Sequence, residues 1–305
     1  MQRTASAADF NAAQRFFRRA SSLLWRRPRV AATVLLAPPM LWFVLIYLAA
    51  LGILFLSAFW TVDDFTGEIV HQWTLINFET LATSETYRAI AGRTLGIAAL
   101  VTLTDIVLAF PCAYFMARIA GPRLRATLFV VMLLPIWLSY VARVYAWRLI
   151  LAHDGVLNWT LHQLGLPAAD IGYTNTAMWL VFSYIWLPFM ITPIYAAIER
   201  VPGSLFEASA DLGAKGLRTF VKVTLPLVVP GIIAGSIFTF SLTMGDYITP
   251  ILIGGPGSSF IGNVVYSNVG IANDIPFAAA FATIPAVVMV AYLFAARRLG
   301  AFEMM

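Results

Sequence analysis

The sequence predicts an all-α polytopic membrane protein with six transmembrane helices, and three observations carry that prediction. The chain is 60% hydrophobic and only 11% charged, with a mean hydropathy of +0.81, whereas a soluble domain of this size carries about a quarter charged residues. Several uncharged runs approach or exceed the ~20 residues that cross a bilayer. The basic residues also fall unevenly among the connections between those runs. One cysteine, Cys112, excludes an intrachain disulfide framework. Three scattered histidines (His71, His153, His162) and no His/Cys cluster argue against a metal site built by the chain. The net charge of +5 is spread along the chain as a topology signal, so nucleic acid is not an expected partner.

Residues 1–30 form a basic segment in which Phe16, Phe17, Leu23, Leu24 and Trp25 alternate with arginines. Such a pattern fits either a helix lying on an anionic leaflet or a plain basic tail. The first span, Val34–Trp60, has no charged residue. At 27 residues it is too long for a signal-peptide core, so an uncleaved span is expected. The connection 61–93 contains WTLINFETLATSETYRAI, Trp73–Ile90, which reads as an amphipathic helix packed at the outer face. The second span is Thr94–Ala117 and the third Ala126–Ile150, the least clean because it includes Arg143 and Arg148. A Gly/Pro-punctuated connection, 152–176, leads to the fourth span, Ala177–Ile198, which contains Pro188 and Pro193. These prolines either kink the helix or are merely tolerated in it. A polar loop, about 199–226, precedes the fifth span, Leu227–Gly245. Residues 246–274 contain Gly254–Gly257, GGPG, read as an outer-surface turn, and the sixth span is Ile275–Ala296. Residues 31–300 thus make one membrane domain with no internal repeat. Of 20 Lys and Arg residues, all but Arg88, Arg93, Arg143 and Arg148 fall on one side. By the positive-inside rule, both termini and the 199–226 loop are expected to be cytoplasmic.

That loop is the most informative stretch, because EASADLGAKGLRTFVKVTLP, Glu207–Pro226, is polar yet lies between two apolar spans. Ser204 and Glu207 are spaced as a capping box, and Gly213 stands where a helix end requires a left-handed residue. The expected helix, about Leu205–Leu212, places Leu205, Ala208, Ser209 and Leu212 on one stripe, with Glu207 and Asp211 as an acidic edge. Small residues in such a stripe admit a partner surface. Helix chemistry alone equally allows an ordinary connector.

The full spacing of Glu207, Ala208, Ser209, Gly213, Leu225 and Pro226 resembles the signature cytoplasmic loop of permease subunits of ABC importers. FPCAYFMAR (Phe110–Arg118), LPIWLSYVARVYAWRLIL (Leu134–Leu151), YIWLPFMITPIYAAIERVP (Tyr184–Pro202) and GDYITPILIGGPG (Gly245–Gly257) are similar to the spermidine/putrescine branch. The resemblance covers roughly residues 30–302. It implies the type I ABC importer permease fold in a bacterial inner membrane, set in membrane lipid. It also implies three kinds of partner: a second and different permease chain, two ATPase subunits holding ATP and Mg, and an extracytoplasmic solute-binding protein. No Gly-Lys-Ser/Thr loop is present in the chain, so ATP hydrolysis falls to a partner and no cofactor is expected on this subunit. The solute implied is a polyamine, with an opine or another small organic solute as the alternative in the same branch. An ion-coupled secondary transporter, the competing class, would not require the spaced loop and usually shows an inverted repeat.

Charges inside spans cost at least ~2.5–3.5 kcal/mol each, so Asp105 in the second span, Asp246 at the end of the fifth and Arg143 in the third require a reason. One reading is a substrate pathway lined by Asp105, Asp246, Tyr247, Trp137, Tyr140 and Arg143, suited to an organic ammonium ion through charge and cation–π contact. Another pairs Asp105 with Arg143 or with Thr102 and Thr104, and assigns the aromatics of the third span to an interfacial belt.

Overall fold

A computed structural model describes residues 28–63 and 65–298; the side chains of residues 28–30 and 34 are not described. The aromatic and basic stretch 16–25 lies outside them. The chain divides into two compact units, residues 1–56 and 57–305. In the first, helix α1 (Pro28–Trp42) passes through a π turn, Phe43–Leu48, into α2 (Ala49–Ser57). Ala31–Ser57 is uncharged and long enough to cross a membrane.

The second unit opens with an antiparallel pair, β1 (Thr61–Val62) and β2 (Ile69–Val70). The Asp63 side chain closes its turn by accepting from the Phe65 and Thr66 amides, and Gly67 supplies the left-handed residue. Helix α3 (Ile76–Thr83) follows. The amphipathic stretch expected at Trp73–Ile90 is thus helical from Ile76 but divided at Ser84 between α3 and the helix that follows, with a hairpin before it. The second span starts nine residues earlier than its hydropathy indicates. Helix α4 (Glu85–Tyr114) runs through a π turn to Ile119, so Arg88 and Arg93 lie on its first turns.

The third span departs most from expectation. Helix α5 (Pro122–Leu133) tightens into a 3-10 turn, Leu134–Trp137, and stops. Leu138 and Ser139 are extended, and helix α6 (Tyr140–Leu151) leaves at 94°. With 12 residues, α5 is only about 18 Å long, short of the ~30 Å hydrocarbon core. Pro135 lacks the N–H needed to continue the helix and crowds the preceding turn. Arg143 and Arg148 thus ride on a crosswise helix rather than on one continuous span. Helix α7 (Val156–Gln163) completes the bent pair.

Helix α8 (Asn175–Arg200) is the centre of the unit, gripped by α4 and by α11 (Leu225–Gly245). Met178, Phe182, Ile185, Met190, Ile194 and Ile198 along it are fully buried. Pro188 and Pro193 leave it a single helix, and Thr192 Oγ1 donates to the Pro188 carbonyl at 2.8 Å. Gly231 and Gly235 form a small-xxx-small pair on α11 that lets the two backbones meet. A Cβ at Gly231 would come within 2.6 Å of the Pro193 carbonyl oxygen, and one at Gly235 within 3.1 Å of the Met190 Cα.

Residues 246–274 are more than an outer turn. A π turn, Pro250–Gly254, and helix α12 (Ile261–Ser267) fold back onto the core, with Phe260 and Ile261 buried. Within GGPG, Gly254 packs on Met178 and Gly255 takes φ +71° against Tyr173, while Arg93 donates to the Gly257 carbonyl. Helix α13 (Ile275–Arg298) is the last described element. Among the described residues, five helices are long and apolar enough to cross a membrane, and the bent pair brings the number to six if it makes one crossing.

Replacing Gly231 by Val is expected to destabilise the chain by about 1–3 kcal/mol, the usual cost of overpacking. Gly52→Ala, in open space, should change little. Thermal unfolding in detergent compares the two, and equal midpoints would refute the close-approach reading.

Candidate functional site: the cytoplasmic-type loop and the buried polar cluster

The loop after α8 is built by successive local decisions. Val201 and Pro202 are extended and end α8. Helix α9 spans Gly203–Asp211. Its N-cap is Pro202 and makes no side-chain cap bond, so the capping box expected between Ser204 and Glu207 does not form. Ser204 lies inside the first turn, one residue past the helix start, where its hydroxyl cannot act as the cap. The C-terminus matches the expectation: Gly213 has φ +72°. Its amide donates to the Ala210 carbonyl at 2.8 Å, and that of Ala214 to the Ser209 carbonyl at 3.0 Å, a Schellman closure.

Two faces of α9 then diverge. Phe206 and Ser209 turn inward, and the Ser209 and Thr219 hydroxyls are 2.8 Å apart. The expected stripe loses Ser209 to this inner face. Leu205, Ala208 and Leu212 remain exposed, Leu212 at 86%, beside exposed Glu207 and Asp211. An apolar row with an acidic edge therefore faces outward with nothing covering it among the described residues. Helix α10 (Gly216–Thr219) and a π turn, Phe220–Thr224, carry the chain to Leu225 and Pro226. Pro226 has no amide to return to the Lys222 carbonyl, and the helix widens there.

Arg118 anchors this element and was not singled out by sequence. Its Nη2 donates to the Ile198 and Val201 carbonyls, each at 2.5 Å, and its guanidinium stands 4.8 Å from the Phe206 ring centroid. One cation thus closes the carbonyl end of α8 and seats α9. No local pattern points to it, since its partners lie 80 residues away or more.

The expected pathway residues separate into three environments. Asp246, 9% exposed, sits just past α11. Its Oδ1 accepts from the Ile248 amide at 2.7 Å and the Thr249 amide at 3.3 Å. Its Oδ2 accepts from the Tyr140 hydroxyl and from Thr249 Oγ1, the latter at 2.9 Å. Four donors occupy the carboxylate's roughly four lone-pair sites, so Asp246 binds the start of α6 to the turn after α11. Tyr140 also stacks on Trp186 at 5.7 Å. Arg143, 8% exposed, stands 5.7 Å from the Tyr140 ring centroid, and its Nε and Nη1 have no hydrogen-bond partner among the described residues.

Asp105 is fully buried on α4 against α8, near Ser183. Neither of its oxygens has a hydrogen-bond partner within bonding distance among the described residues. The pairings expected for it are absent there. Arg143 forms no ion pair with it, Thr102 donates to Ala98, and Thr104 donates to Leu100 while accepting from Trp179 Nε1. Trp137 is 89% exposed at the bend between α5 and α6. Tyr247 stacks on Tyr266 at 4.6 Å.

Residues 99–301 match the family described as binding-protein-dependent transport system inner membrane component. The chain belongs to this family. It is a permease subunit of an ABC importer and a multi-pass inner membrane protein. Among relatives, the inner membrane ABC transporter permease protein YdcU of Escherichia coli (strain K12) is 45% identical over 93% of this chain and 94% of its own. The spermidine/putrescine transport system permease protein PotB of the same strain is 34% identical, covering 76% of this chain and 84% of its own. In fold, the permease resembles a chain of a bacterial ABC transporter involved in the import of the acidic polysaccharide alginate. That likeness has a TM-score of 0.69 at 21% identity, over 92% of this chain and 98% of the other. The MetNI methionine ABC transporter gives a TM-score of 0.54 at 18% identity, over 71% and 97%.

Arg118→Gln is expected to free α9 without disturbing the spans, because charge-assisted hydrogen bonds are worth about 1.5–3 kcal/mol. Amide hydrogen exchange should accelerate at residues 203–214 and stay slow along α8. Unchanged exchange at 203–214 would remove Arg118 from its anchoring role.

Proposed function

We propose that α9 is the element through which an ATPase subunit drives this permease, and that the solute carried is a polyamine. The uncovered row of Leu205, Ala208 and Leu212 beside Glu207 and Asp211 carries the first part. It is short and rigid, closed by the Gly213 turn and seated by Arg118, so a push on it is delivered to the end of α8 rather than absorbed. In this reading two ATPase subunits bind ATP and Mg, this chain pairs with a second and different permease, and a solute-binding protein delivers cargo from outside. The termini and α9 face the cytoplasm, as the distribution of Lys and Arg indicates.

Support for the solute comes from the PotB relatives and from Asp246, Tyr247 and Trp137 standing near the bend. The acidic group of Asp246 and the aromatic faces suit an organic ammonium ion. Asp105, with Ser183 beside it, is assigned to the same route as a buried acid whose oxygens have no hydrogen-bond partner among the described residues. Tyr140 holds the Asp246 carboxylate, and Arg143 flanks the Tyr140 ring.

Three measurements test these assignments. Glu207→Ala, which removes an exposed acid without touching a cap, and Gly213→Val, which forces a branched residue into the left-handed region at a cost of about 1–2 kcal/mol, should each lower uptake in the complete complex while the spans fold normally. Wild-type uptake in both would exclude α9 from coupling.

For orientation, Cys112→Ala serves as the background. Ser204→Cys should react only with reagents that reach the cytoplasm, and Phe65→Cys, at a fully exposed hairpin position, with impermeant reagents from outside. Ser258 is unsuited to this test because it is buried and bonded to Asn175. The opposite labelling would overturn the topology.

For the solute, vesicles containing all subunits should take up putrescine and spermidine, and Asp246→Asn should assemble yet transport more slowly. No uptake by the unmodified complex would exclude polyamines, and undiminished uptake by the variant would exclude the charge-guided route.

A further inference from the structure

The segment leading into α11 carries a second face, opposite in charge to that of α9. Lys215, Arg218 and Lys222 recur at i, i+3 and i+7, which places them along one side. All three are exposed, and none takes part in an ion pair or a side-chain hydrogen bond given among the described residues. Together with Gly213, Leu217 and Val221 they line an open concavity of about 490 Å³. Leu217 and Val221 are 77% and 50% exposed, so an apolar stripe runs beside the basic one.

Span length decides the level at which this face stands. The helix Gly216–Gly245 has 30 residues, about 45 Å at 1.5 Å per residue. The hydrocarbon core accounts for ~30 Å, or ~20 residues. Counting back from Gly245 puts the membrane boundary near Leu225 and Pro226. Residues 216–224 then occupy the headgroup layer, with the basic side chains among phosphates and Leu217 and Val221 reaching toward the acyl boundary.

We propose that Lys215, Arg218 and Lys222 form a binding site for the phosphate headgroup of an anionic phospholipid. The apolar stripe favours a lipid over free phosphate, because it offers contact to the glycerol and first methylenes. The site also bears on α9. Thr219, between the basic positions, holds Ser209, so a bound lipid would steady the base on which α9 rests.

The test uses the full chain purified in detergent, mixed with phosphatidylglycerol or phosphatidylcholine, with retained lipid measured by native mass spectrometry. Phosphatidylglycerol should be retained preferentially and lost progressively with added salt. Each of K215Q, R218Q and K222Q should lower its retention about fivefold, from ~1 kcal/mol per basic residue at an anionic surface. K215R/K222R should retain it, and thermal unfolding in phosphatidylcholine should be the same for all variants. Equal retention of the two lipids, unchanged retention in the Gln variants, or full competition by inorganic phosphate would each overturn the proposal. It would also fail if a co-assembled ATPase shielded Lys215 and Lys222 from acylating reagents while phosphatidylglycerol did not, since the face would then belong to the protein partner.

Discussion

Helix α8 is buried on nearly all sides in the middle of a bilayer protein, where apolar side chains gain nothing by leaving lipid for protein. Its position therefore depends on shape rather than on hydrophobicity. Gly231 and Gly235 on α11 remove the side chains that would hold the two helices apart, and the Pro193 ring lies over Gly235. Backbone meets backbone, and dispersion contacts replace what water would otherwise drive. The same prolines that break helices in water are accommodated here because α8 is packed on both sides by neighbouring helices. With α8 held in this way, both of its ends become fixed points from which the rest of the molecule is built.

At one end, the fixed point carries the outward-facing helix. Arg118 reaches from α4 to the last carbonyls of α8 and to the Phe206 ring. Two consecutive helices and a segment 80 residues before Ile198 thus meet on one guanidinium, whose planar fork and delocalised charge suit carbonyls and an aromatic face together. Helix α9 projects from this point and is closed at Gly213, with one side spent on holding the fold and the other left open. An arrangement of this kind suits the proposed coupling role, because the helix is short and its root is held by charge-assisted bonds.

At the other end, the protein handles charge in two contrasting ways. Asp246 is surrounded by donors from its own turn and from Tyr140, so its role is to join α6 to the return after α11. Arg143 and Asp105 are equally buried, yet keep atoms without partners among the described residues. A bilayer protein tolerates such groups only at a cost, which makes Arg143 and Asp105 places of functional interest beside Asp246. The 94° bend between α5 and α6 brings this about, since it swings Tyr140 and Arg143 across the core and leaves Trp137 outside it.

Composition, run length and loop spacing by themselves determined the all-α membrane class, four of the spans to within three residues, and the element at Glu207–Pro226. These are local properties: hydropathy accumulates along one helix, and a left-handed residue at Gly213 is required by the helix it ends. The bend at Leu138–Ser139 was not legible in the same way, because an apolar window has the same hydropathy whether its helix is straight or broken. The missing cap at Ser204 shows the same limit, since where α9 begins is decided by the exit of α8 through Val201 and Pro202. Only the tertiary structure gave Arg118 its anchoring contacts, filled the Asp246 carboxylate, and left Asp105 without its expected partners. Each of those outcomes depends on side chains that meet across dozens of residues, and no spacing rule along the chain reports such a meeting.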